Sequence, residues 1–121
     1  MGLRRGDIVT VAAPGDFGKP SPALVVQADE FSGHPTVTVC LLTSALRDAP
    51  LFRLDIAPAS ENGLRVPSQI QIDKLLTIYH DKVGPPIGRL DDRSLRRVDS
   101  ALARWLGLVN SRPHGAISFA A

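Results

Sequence analysis

Cysteine is almost absent from this chain: Cys40 is the only one in 121 residues. A lone cysteine excludes an internal disulfide framework and suits a reducing compartment. Histidine is scarce too. His34, His80 and His114 lie far apart from one another and from Cys40, with none of the spacings that hold a metal ion. No apolar run approaches the ~18 residues that would suggest a membrane span. The N-terminal Met1-Gly2-Leu3-Arg4-Arg5-Gly6-Asp7 carries charge without a following apolar segment, so it does not read as a secretory signal. Neither sign of charge dominates, with 14 Lys and Arg against 12 Asp and Glu. That mildly basic balance permits nucleic-acid binding without indicating it. Internal repeats and low-complexity tracts are lacking.

What is present is an ordinary globular composition, 44% apolar and 21% charged, in a length that fits one domain with a real core. Ile8-Val9-Thr10-Val11 reads as a first strand and Ala23-Leu24-Val25-Val26-Gln27 as a second. Between them runs a loop with Gly15, Gly18, Pro20 and Pro22, stiff enough to hold Asp16, Lys19 and Ser21 beside a sheet. Thr36 to Thr43 begins by alternating and ends as a continuous apolar run, the pattern of a central strand buried on both faces. Leu51 to Ile56 and Ser68 to Asp73 alternate, the latter with Ile70 and Ile72 on one face and Gln69, Gln71 and Asp73 on the other. Leu75 to Tyr79 is a further short piece. About five short strands separated by turns predict a small barrel or strongly curved sheet.

The last third is different. Asp91 and Asp92 suit a helix N-cap, and Leu95, Val98, Leu102, Trp105, Leu106 and Val109 recur at helical spacing as one apolar stripe. The expected organisation is one domain over 1–110 with a C-terminal amphipathic helix, followed by a flexible tail, 111–121.

Taken in order, Arg5-Gly6-Asp7-Ile8-Val9, the loop from Gly15 to Gln27, Leu42-Thr43-Ser44, Pro67-Ser68-Gln69-Ile70-Gln71-Ile72-Asp73-Lys74 and Ile87-Gly88-Arg89-Leu90 resemble the MazF/PemK family of toxin endoribonucleases. The resemblance covers roughly residues 4 to 109. It implies a mainly β fold, a small SH3-like barrel with a C-terminal helix, working as a homodimer. It also implies metal-independent cleavage of single-stranded RNA, restraint by a small antitoxin whose tail fills the active-site groove, and a bacterial cytoplasmic setting without a cofactor. Such cleavage uses the ribose 2′-hydroxyl as nucleophile, a base and an acid for its protons, and a cation for the charge building on phosphorus. By the family pattern the catalytic positions are Ser21, Thr43 and Asp73, with Asp73 as the base, and Asp16, Phe17, Lys19, Ser44 and Gln71 contact RNA.

Ser21 departs from that pattern, which reads Gly-Lys-Pro-Arg-Pro where this chain has Gly18-Lys19-Pro20-Ser21-Pro22. A hydroxyl does not replace a guanidinium as a phosphate clamp. Three explanations stand: a substitution, natural or introduced, that weakens or inactivates the nuclease; partial replacement of the charge by Lys19; or a protein that keeps binding alone. A gyrase inhibitor of the CcdB type on the same fold is the alternative, although its Trp-Gly-Ile ending is missing here. A plain antitoxin-binding module is the third reading.

Overall fold

The computed structural model describes residues 2–12 and 19–109. Six strands, β1 (Asp7–Val11), β2 (Ser21–Val25), β3 (Thr36–Thr43), β4 (Arg53–Ile56), β5 (Ser68–Tyr79) and β6 (Gly88–Arg89), precede one helix, α1 (Asp92–Trp105). They form a single antiparallel sheet in the order β4-β5-β3-β2-β1-β6. The expected antiparallel pairing of the first two strands is present, with Ile8 opposite Leu24. The described residues therefore match the anticipated curved sheet with a C-terminal helix. Asp16 and Phe17, like the anticipated tail, lie outside them.

Period-2 alternation sends neighbouring side chains to opposite faces, and here both faces are apolar. Ile8, Leu24, Cys40, Ile70 and Ile72 point to the face that α1 covers with Val98 and Ala101. Val9, Val11, Ala23, Val25, Val37 and Val39 form a second buried layer on the other face. The continuous apolar run of β3 is thus a strand with no wet side, as its sequence predicts.

Two elements differ from the sequence pattern. Ser68–Tyr79 is one twelve-residue strand and not two pieces, but it is broken in register. Cys40 pairs with Leu75 and Leu42 with Ile70, so two residues of β3 span five of β5. Gln71 to Lys74 sit in this irregularity, which lets β5 bend from pairing with β4 to lying along the start of β3. Trp105, at a core spacing, is in fact 52% exposed and packs on the ring of Phe52 at 6.0 Å between centroids. It lies in the helix's last turn, beyond the part of α1 that the sheet covers.

Asp91 caps α1, its Oδ2 accepting from the Ser94 backbone N–H at 3.0 Å. Hydrogen bonding by Ser94, first through its side chain and then through its N–H, holds the Asp91 carboxyl below its usual range. A depressed carboxyl stabilises the fold above its unfolded-state value and loses that contribution as pH falls through the folded one. Asp91→Ala should therefore cost about 1 kcal/mol at neutral pH. The difference from the parent should shrink as the carboxyl protonates in acid, which urea unfolding at a series of pH values measures.

A hydroxyl-lined candidate active site

Strand register assembles the site. β2 pairs with β3 so that Ala23 faces Leu41 and Val25 faces Val39. Extended by two residues, that register sets Ser21 opposite Thr43, at the end of the sheet where β5 begins. Thr43 is in turn opposite Gln69. Here a cleft of about 430 Å³ opens, with Leu42 and Leu64 among its apolar lining and Ser21, Thr43, Ser44, Ser68 and Arg65 as its polar groups. The cleft brings together three of the expected residues, Ser21, Thr43 and Ser44.

The opposite wall is the β4–β5 loop, held by Asn62. This buried side chain accepts from the N–H groups of Ala59 (3.1 Å) and Leu64 (2.9 Å) and donates to the Ala57 carbonyl (3.0 Å). A buried amide so fully bonded fixes a loop that has no ladder of its own. Gly63 follows at φ +72°, a conformation that favours glycine, with the Ile87 carbonyl oxygen 2.1 Å from where a Cβ would stand. Arg89 N–H closes the contact onto the Glu61 carbonyl at 2.8 Å. Arg65 projects from this wall, exposed, and it makes no hydrogen bond or ion pair among the described residues. It is the one cation in the described lining, and the strand patterns gave no sign of it because it sits in a turn.

The hydroxyls are oriented. Thr43 Oγ1 accepts from the Ala45 N–H at 3.1 Å, which leaves its own proton to be donated elsewhere. Ser68 Oγ donates to the Val66 carbonyl at 3.0 Å and keeps its lone pairs. The cleft thus offers hydroxyl donors and one guanidinium, the groups that suit an oxyanion or phosphodiester.

The remaining expected residues lie elsewhere. Lys19 is exposed and outside the cleft lining. Gln71 is buried, and its Oε1 accepts from Arg53 at 3.2 Å. Asp73 lies in the irregular part of β5, does not line the cleft, and has a buried Oδ1 without a hydrogen-bond partner. Its charge is felt by Cys40. Burial pushes the Cys40 thiol up to about 12, Arg5 opposing and Asp73 adding to the rise, so Cys40 is a core residue and not a nucleophile at neutral pH. Among the described residues no group of three His, Cys, Asp or Glu side chains could hold a metal ion, and no helix is long and apolar enough to cross a membrane.

A curved antiparallel sheet covered by one helix, with a hydroxyl-lined cleft at the sheet's end, defines a small β-fold class among the described residues. The family model for PemK-like, MazF-like toxins of type II toxin–antitoxin systems matches residues 4–106, and the chain belongs to that family. It is 41% identical over 108 residues to a probable endoribonuclease MazF of Mycolicibacterium smegmatis, a likeness that covers 88% of this chain and 99% of that one. Its fold is similar to a mycobacterial endoribonuclease solved with its cognate antitoxin: the TM-score is 0.71 at 22% identity, covering 88% of this chain and 96% of that one. It is also similar to a MazE–MazF structure from Deinococcus radiodurans, with a TM-score of 0.70 at 21% identity over 88% and 97% of the two chains.

Proposed function

We propose that this toxin is an endoribonuclease that cuts single-stranded RNA without a metal, and that Arg65 supplies the positive charge at the scissile phosphate. The observation that carries the reading is the placement of a single guanidinium across the cleft from Ser21, Thr43 and Ser44. The 2′-oxygen attacks the adjacent phosphorus and gives up its proton to solvent, negative charge accumulates on the phosphoryl oxygens, and the bond to the 5′-oxygen breaks as that oxygen takes a proton from solvent. Arg65 and the Thr43 hydroxyl stabilise that charge in the transition state. The described lining holds no carboxylate or imidazole, so charge stabilisation is the part of the reaction that these residues supply. The same reading includes a homodimer in the bacterial cytoplasm, and an antitoxin tail that occupies the cleft in place of RNA. The relatives solved with antitoxins support that partner.

The test is incubation with a long single-stranded RNA in EDTA, followed by mapping of the product ends. Cuts at a short recurring sequence, leaving cyclic 2′,3′-phosphate and 5′-hydroxyl ends, are expected. Intact RNA, or cleavage that requires added metal, overturns the reading. Inhibition of gyrase by the same preparation would move the assignment to the CcdB type.

A further inference from the structure

We propose that the pocket beneath the β3–β4 loop is a second anion subsite, which holds a phosphate of the RNA flanking the cut. The inference rests on the ribonuclease reading and adds a residue set separate from the cleft. Arg53 is its centre. The side chain is only 8% exposed, yet every hydrogen bond it makes ends on a neutral oxygen: the Ala45 carbonyl at 2.8 Å and the amides of Gln69 and Gln71 at 3.2 Å each. Its Nε is buried with no partner, and no carboxylate lies within ion-pair distance among the described residues. A guanidinium held out of water without a counter-ion is costly. The missing counter-ion is most simply a ligand.

The pocket around it is small, about 100 Å³, which admits one anionic group but not a nucleoside. Arg47 and Arg97 line it beside Asp48 and Asp55, so that with Arg53 three cations face two carboxylates, a formal balance of +1. Gln69 braces the floor, accepting from the Arg47 N–H at 3.0 Å and donating to Asp55 at 2.8 Å. Forked guanidinium groups suit phosphate oxygens particularly well. RNA is the occupant on the ribonuclease reading, because its backbone carries a phosphate at every nucleotide that leaves the cleft. Ser44 lines the cleft and Arg47 lines this pocket, three residues along the same loop, at most about 11 Å apart. A strand cut in the cleft would carry its next phosphates within that reach.

The test is fluorescence anisotropy of a labelled, fully 2′-O-methylated RNA, which cannot be cut, across a salt series. Arg47→Gln and Arg97→Gln change exposed side chains, and unaltered circular dichroism would confirm the fold. Each is expected to weaken binding about 5- to 10-fold and to flatten the slope of log K against log salt by about 0.7. A dinucleotide confined to the cleft should bind parent and variants alike. Unchanged slopes in both variants, with the parent binding RNA normally, overturn this subsite alone. No binding by the parent overturns the ribonuclease reading with it. Loss of affinity for polyglutamate but not for RNA would make the pocket a carboxylate site and overturn the phosphate assignment.

Discussion

Arg65→Gln should lower the rate constant for RNA cleavage by about 10²–10³, the range found when one preorganised donor to a developing charge is removed. Arg65 is exposed and unpaired among the described residues, so the change removes no structural bond. Melting temperature and helix content should match the parent. The loss should fall mainly on kcat, because a charge that grows on phosphorus during reaction interacts most strongly in the transition state. Arg65→Lys keeps the charge but not the planar fork and should recover part of the rate. Single-turnover cleavage of a short RNA carrying the cut site gives all three numbers. A rate unchanged in Arg65→Gln would remove this residue from the chemistry and leave the described cleft without its cation. By contrast, Lys19→Ala should be silent, since Lys19 does not line the cleft.

Thr43 and Ser21 are singled out by the family resemblance, and Arg65 by neither that resemblance nor local pattern, which is a matter of what local pattern encodes. Alternation reports which face of a strand a residue occupies, and it places Ile70 and Ile72 correctly in the core. It also predicts a wet face for Arg53, Asp55, Gln69 and Gln71. Three of these, Arg53, Gln69 and Gln71, are buried, because the β3–β4 loop folds over that face and hydrogen-bonds to it through Ala45 and Arg47. Period gives the face but not its cover. Asp73 shares the polar parity of Gln69 and Gln71 only while β5 keeps its register, and the irregularity between Ile70 and Leu75 breaks it. Trp105 fails for another reason: helical spacing continues past the last turn that the sheet can reach. Arg65 belongs to a turn whose shape depends on Asn62, Gly63 and a distant contact with Ile87 and Arg89, none of which a local period records.

Ser21→Arg should raise cleavage by about 10². Register sets residue 21 opposite Thr43 and the cleft of about 430 Å³ has room for a longer side chain, so an arginine there would face Arg65 across the bound phosphate. Two guanidinium groups repel in the empty cleft, a cost offset once a phosphodiester lies between them. The parent, with serine, is on this reading a slow enzyme and not a dead one, its rate carried by Arg65. Combining Ser21→Arg with Arg65→Gln distinguishes the two cations. If the two cations act independently, the gain and the loss should add and leave the double variant within about tenfold of the parent rate, whereas a clear departure from that sum would show that they serve the same oxygens. If the double variant is as slow as Arg65→Gln alone, residue 21 does not reach the scissile phosphate and the serine is no handicap. Growth arrest on induction should follow the same order as the rates, with Ser21→Arg the most toxic and Arg65→Gln the least. A Ser21→Arg form no faster and no more toxic than the parent would mean that Arg65 has taken over the catalytic charge completely.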